Sequence, residues 1–111
     1  MPKIPHGERA FIDLSKLENY CLDLTHFHGR HKARVFRSAL GIERADAGWL
    51  METLLLGARD GEATELKTDE FGTYWRLDLS IARQDRRAVV RTIWMIRSGQ
   101  DFPRFISCWV L

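Results

Sequence analysis

The chain has 111 residues, of which 45% are hydrophobic and 29% charged, with 17 Lys and Arg residues against 15 Asp and Glu. This length fits a single domain, and the apolar fraction is too high for a disordered chain. No run approaches the ~18 consecutive apolar residues of a membrane-spanning helix, and the N-terminal segment lacks the apolar stretch of a signal peptide. We therefore predict one cytoplasmic domain over residues 1–111, with no membrane association.

Local patterns in the first half of the chain predict mainly helix. A short apolar run at 10–12 is compatible with a small strand. A helix is predicted over 15–22 with Ser15 as its N-cap, because an acidic residue three positions later completes the spacing of a capping box. Another helix is predicted over about 45–59, where leucines repeat at three- and four-residue spacing.

Between these two helices, residues 32–40 predict a helix with a mixed surface. Val35 and Phe36 belong to its apolar face, and Gly41 is placed to end it. Lys32 precedes these two apolar residues by three and four positions, so it lies at the edge of the buried face. A lysine there is expected to lay its stem on apolar surface and to bring its ammonium to a cleft or a carboxylate.

After Gly61 the hydrophobic period changes from 3.6 to 2. Strict alternation predicts a strand over 74–81, and residues 88–97, apolar on both faces, predict a central strand. Residues 105–111 predict another strand, and 63–67 could add an edge strand. The expected fold is α+β, with about three N-terminal helices packed on a C-terminal antiparallel sheet of three to four strands.

Two cysteines, Cys21 and Cys108, lie far apart without a C-x-x-C motif. In a chain with no export signal, we expect free and buried thiols in a reducing compartment. A disulfide between them remains an alternative if the domain is delivered outside the cell.

The small net charge of +2 hides an uneven distribution. Residues 26–44 contain five basic residues and one acidic, and residues 81–111 contain six basic and two acidic. Between them, residues 45–80 contain eight acidic residues and three basic. If the fold joins the two basic blocks, they form a patch that can hold phosphates. The alternative is that each block is a solvated surface.

The first basic block contains three histidines within six residues, His26, His28 and His31. This spacing could bind a metal ion, but the neighbouring cations would repel a dication and no carboxylate lies nearby, so we predict neither a metal site nor a cofactor. Metal-independent cleavage of a phosphodiester instead needs a base, an acid and a cation. His31 and the adjacent Lys32 supply these groups at a helix start.

The remaining candidates lie mostly on the predicted strands. Strand aromatics can stack on bases, although more often they pack in a core, and the sequence does not decide between these interpretations. The predicted catalytic residues are His31, Lys32, Arg34, Thr92 and Ser107. The predicted substrate-binding residues are Arg30, Arg91, Trp94, Arg97 and Trp109.

A signature G-x-H-K-A-R-V-F…L-G begins at Gly29, and it is accompanied by segments at 16–22, 71–74, 90–94 and 102–105. Together these resemble an uncharacterised bacterial family that carries a domain-of-unknown-function label. Its members are often encoded beside a small second protein, as in toxin–antitoxin pairs. The layout is also similar to that of the barnase–EndoU–colicin–RelE group of metal-independent toxin ribonucleases. At 84–87 the sequence departs from the glycine-rich hairpin expected there.

The resemblance implies a ribonuclease-like toxin domain that acts on RNA and is kept inactive by a small cognate partner, of antitoxin or immunity type. The alternative is a non-catalytic protein-interaction module. The acidic block at 45–80 and the lack of a complete catalytic motif favour that alternative.

Overall fold

The computed structural model describes residues 2–111, in which three helices precede a four-stranded antiparallel sheet. This confirms the predicted α+β fold. The helices are α1 (Leu14–Lys16), which continues into a π-helical turn (Leu17–Cys21), α2 (Arg30–Leu40) and α3 (Ala47–Asp60). The strands are β1 (Ala63–Asp69), β2 (Gly72–Arg83), β3 (Arg86–Arg97) and β4 (Pro103–Val110). Short 3-10 turns precede α1 and α3 at Gly7–Arg9 and Arg44–Asp46. None of the helices in this part of the chain is long and apolar enough to cross a membrane.

The first helix starts earlier than its sequence pattern predicts. Its N-cap is Asp13, whose carboxylate accepts hydrogen bonds from the backbone N–H and the hydroxyl of Ser15. Aspartate caps a helix as well as serine does, so the predicted N-cap at Ser15 was wrong by two positions. The π-helical turn then directs Tyr20 and Cys21 toward the rest of the fold.

Helix α2 ends as predicted, at a left-handed Gly41 (φ 65°) whose N–H donates to the Arg37 carbonyl. Phe36 is fully buried on its apolar face. Val35, predicted on the same face, is instead 43% exposed. It lies on the side of the helix that faces the last strand, where the helix and the sheet diverge.

The sheet is a simple meander in the order β1-β2-β3-β4, so β3 is central, as its apolar pattern predicts. One face packs against the helices and buries Leu77, Val90 and Trp94. The β2–β3 hairpin turns at Gln84 and Asp85 without a glycine. Gln84 adopts the left-handed conformation (φ 56°) that a glycine would take more easily.

Strand β4 is an edge strand, and the N-terminal part of the chain covers its free edge. Phe11 forms a single parallel bridge there, donating to the Pro103 carbonyl and accepting from the Phe105 N–H, both at 2.9 Å. The apolar run at 10–12 is therefore one bridge rather than a strand. Further along β4, Ile106 has no partner on β3, which marks a β-bulge. Covering an edge in this way protects it from pairing with other chains.

Candidate functional site

The two basic blocks meet where α2 crosses β4. The ammonium of Lys32 donates hydrogen bonds to the hydroxyls of Tyr20 and Ser107, both at 3.0 Å. The π-helical turn, α2 and β4 each contribute one of these residues. The helix position of Lys32 predicts this arrangement, because it lies at the edge of the buried face and extends toward a cleft.

Aromatic rings fix the position of this ammonium. Lys32 Nζ lies 4.8 Å from the centre of the Tyr20 ring and 5.0 Å from that of Trp109. Cation–π attraction strengthens when the cation is partly desolvated, and Lys32 is half-buried. An ammonium has three N–H donors, and within residues 2–111 only two of those of Lys32 have an acceptor. The third can therefore donate to a ligand.

A groove of about 340 Å³ opens beside this ammonium, between α2 and β4. It is lined by His31, Lys32, Val35, Trp109 and Val110, and we call it the α2–β4 groove. This volume lies at the lower end of the range for small-ligand sites. Three predicted site residues line the groove, and a fourth, Ser107, holds the lysine.

Two other depressions, of about 400 and 380 Å³, have a different electrostatic character. The first is lined by two carboxylates and one guanidinium, those of Glu8, Glu52 and Arg59. In the second, two carboxylates balance two guanidinium groups. Because acidic groups equal or outnumber basic ones there, both suit an anionic ligand less well than the α2–β4 groove.

Two thiols lie directly behind the Lys32 cluster. Cys21 and Cys108 are free and fully buried, as predicted. A hydrogen bond from the Cys108 thiol, with help from the Lys32 charge, lowers the pKa of Cys21 to about 7. Burial raises the pKa of Cys108. The charge of Lys32 therefore acts on a thiol, that of Cys21, in the core.

Two predicted site residues lie in the core instead. Thr92 and Trp94 are both 0% exposed. The Thr92 hydroxyl donates to the Leu77 carbonyl at 2.6 Å and accepts from the indole N–H of Trp94 at 2.7 Å. Thr92 pairs with Cys108, which is also buried in the core, whereas Ser107, one position away along β4, accepts the hydrogen bond from Lys32. The structure therefore does not bring Thr92 and Trp94 to the groove.

The predicted arginines are dispersed over the surface. Arg91 forms a two-pronged ion pair with Asp78, at 2.9 and 3.0 Å. Arg30 lies over the Phe27 ring at the start of α2, 5.0 Å from its centre. Arg34 is exposed one turn after His31, and Arg97 is exposed at the far end of β3.

One of the three clustered histidines, His26, has a structural role. His26 Nδ1 accepts hydrogen bonds from the backbone N–H groups of His28 and Gly29 and so stabilises the turn before α2. Throughout residues 2–111, no three His, Cys, Asp or Glu side chains are grouped so that they could hold a metal ion. Of the three histidines, His31 is the one that lines the groove.

Sequence reasoning did not identify Tyr20 as part of the site. Tyr20 falls within the helix predicted over 15–22, where the sequence pattern indicated no role in the site. The available signal was chemical, since a tyrosine beside buried apolar residues needs a partner for its hydroxyl. Lys32 provides that partner.

The family model of a domain of unknown function (DUF6883) matches residues 3–111, nearly the whole chain. No curated protein and no solved structure matches the sequence significantly.

Proposed function

The chain belongs to the DUF6883 family, and because that family has no assigned function, its site must carry the inference; we propose that the protein is a metal-independent endoribonuclease. The observation that supports this most directly is the Lys32 ammonium, held by two hydroxyls and two aromatic rings beside a groove that contains His31. It provides a fixed cation where negative charge develops on a phosphate.

The proposed reaction needs only side chains of this cluster. His31 removes the proton from the ribose 2′-hydroxyl, and the resulting oxygen attacks the adjacent phosphorus. Lys32 stabilises the charge on the non-bridging oxygens. The bond from phosphorus to the 5′-oxygen breaks, and the Tyr20 hydroxyl protonates that oxygen. The products are a 2′,3′-cyclic phosphate and a free 5′-hydroxyl.

The surrounding residues suit the binding of a nucleotide. The Trp109 indole is half-exposed at the groove and offers a face on which a base can stack. Arg34 follows His31 by three positions, so both lie on one side of α2, and Arg34 can contact a flanking phosphate. Ser107 orients Lys32 rather than touching the substrate.

Incubation of the purified protein with total RNA in excess EDTA tests this function. We expect fragments that end in 2′,3′-cyclic phosphates. His31→Ala and Lys32→Met are each expected to slow cleavage by about 10²- to 10⁴-fold, the usual contribution of such groups. His28→Ala is the matched control, because this exposed histidine lies in the turn just before α2 but does not line the groove. Folded protein that leaves RNA intact, or full activity in His31→Ala, would contradict the proposal.

Such an activity inside the cytoplasm is toxic, so the proposal includes a small cognate protein that blocks the groove. Expression of the chain alone is expected to arrest growth, and expression of Lys32→Met is not. If both forms arrest growth equally, the toxicity does not arise from this site.

A second candidate function, a non-catalytic interaction module, is supported by the outer face of the sheet. On this face, opposite to the one that buries Trp94, Met95 is half-exposed between its cross-strand partners Tyr74 and Arg104, and Ile93 is half-exposed two positions before it. A stable complex with the product of the neighbouring gene, without RNA binding at low salt, would favour this candidate.

A further inference from the structure

Another cavity lies at the opposite end of β4 from the α2–β4 groove. Its volume is about 130 Å³, which suits a compact anion. Three cationic side chains line it, those of Lys16, Arg97 and Arg104. They come from α1, β3 and β4, so the tertiary fold and not a local charge run brings them together.

Arg104 is held in place before any ligand binds. Its guanidinium carbon lies 4.8 Å from the centre of the Phe102 ring and 5.7 Å from that of the Phe11 ring. Its Nε donates to the Gln100 side chain at 3.0 Å. A guanidinium has five N–H donors, and within residues 2–111 only the Nε–H of Arg104 has an acceptor. The other four can bind an oxyanion at little entropic cost.

The other two cations are also available. Lys16 uses one N–H to contact the Phe105 carbonyl at 3.1 Å, which leaves two. Arg97 is exposed and forms no ion pair with any carboxylate in residues 2–111.

One carboxylate, that of Asp13, also lines the cavity. Hydrogen bonds from the Ser15 hydroxyl and backbone N–H lower the pKa of Asp13, so this group is ionised. Those bonds belong to the helix cap and direct one carboxylate oxygen toward Ser15. With three cations and one anion, the cavity retains an excess of positive charge.

We propose that this cavity binds a phosphodiester group of the RNA, upstream or downstream of the group that is cleaved beside Lys32. The inference rests on the proposed ribonuclease function. Trp109 lies five positions after Arg104 along β4, which corresponds to about 16 Å of strand. The two sites therefore hold different phosphates of one RNA strand, which runs along β4.

Binding can be measured separately from cleavage with 2′-O-methyl oligonucleotides, which lack the attacking hydroxyl. We expect a hexanucleotide to bind more tightly than a dinucleotide, and Arg97→Gln and Arg104→Gln to remove most of this gain. In a plot of the logarithm of the binding constant against the logarithm of the salt concentration, each variant should make the negative slope shallower by about 0.7, the value for one lost single-strand phosphate contact. Arg87→Gln is the matched control, because Arg87 is an exposed arginine on the same strand as Arg97, ten positions before it, and does not line the cavity.

Titration with inorganic phosphate, followed by two-dimensional amide NMR, tests the cavity without RNA. We expect the signals of Arg97 and Arg104 to shift in the wild type and to shift much less in Arg97→Gln. RNA cleavage with no length-dependent binding, or with the same binding in Arg97→Gln as in the wild type, would overturn the second site and leave the proposed function intact. Length-dependent binding that Arg97→Gln weakens, in a protein that cleaves no RNA, would support the cavity and overturn the proposed function.

Discussion

Replacing Thr92 with valine separates a structural role from a catalytic one. The change keeps the shape of the side chain and removes the hydroxyl that joins the Trp94 indole to the Leu77 carbonyl. All three groups lie inside the core, so no water replaces the lost partner. The orphaned indole N–H costs about 1–3 kcal/mol, and the lost bond to Leu77 adds about 0.5–1.5 kcal/mol. We expect a total loss of about 2–4 kcal/mol.

Urea unfolding followed by tryptophan fluorescence measures this loss. With a slope of about 1.5 kcal/mol per molar urea, the midpoint should fall by about 1–3 M. Thr92→Ser keeps the hydroxyl and should lose only about 1 kcal/mol for one buried methyl group. In a Trp94→Phe background there is no indole N–H to orphan, so the cost of Thr92→Val should fall by at least 1 kcal/mol.

Thr92→Val protein as stable as the wild type would refute this account of the core. A second outcome would also refute it. If folded Thr92→Val lost RNA cleavage a hundredfold while Thr92→Ser kept it, the hydroxyl would act in catalysis and not only in the core.

Three further variants test separate parts of the fold. Hydrogen bonds from Arg83 and a backbone N–H lower the pKa of Asp46, so this pair stabilises the protein above about pH 4 and the benefit is lost as pH falls through the lowered pKa. Asp46→Asn should therefore lower the free energy of unfolding by about 1 kcal/mol at pH 7. Below about pH 4 the variant should lose less stability than the wild type, and an equal loss in both proteins would contradict this. Gly29→Ala should reduce both stability and RNA cleavage, because its Cβ would overlap the Tyr20 carbonyl and displace the start of α2. Gly48→Ala, in α3 with open space around the new methyl group, should instead raise the midpoint of thermal unfolding by a few degrees, corresponding to about 0.5–1 kcal/mol.

The elements of the fold follow largely from local patterns. Helix α2 and helix α3 were predicted because a 3.6-residue period and a terminal glycine are visible within single segments. The alternation over 74–81 and the apolar run over 88–97 identified β2 and β3 for the same reason. The position of Lys32 at the edge of a buried helix face also follows from periodicity, and this position brings it to the groove.

The site depends on contacts between distant segments, which the hydrophobic period of a single segment does not predict. Strand alternation places Thr92 and Trp94 on one face, but it does not tell which face the helices cover. In the structure the helices cover the face that holds Thr92 and Trp94, so both are buried, while Ser107 contacts Lys32 beside the groove. Tyr20 reaches Lys32 through a π-helical turn, whose formation depends on packing against the rest of the fold.

The contact between Lys32 and Ser107 joins positions 75 residues apart, and the contact between Lys16 and Phe105 joins positions 89 apart. During synthesis on a ribosome, α2, which ends at Leu40, emerges well before β4, which begins at Pro103. Long-range pairings of this kind form late, since much loop entropy must first be lost. A nascent chain with all its histidines but without β4 therefore has no anchored ammonium. Under the proposed ribonuclease function, the RNA of the ribosome that makes this protein meets no anchored ammonium until β4 has emerged.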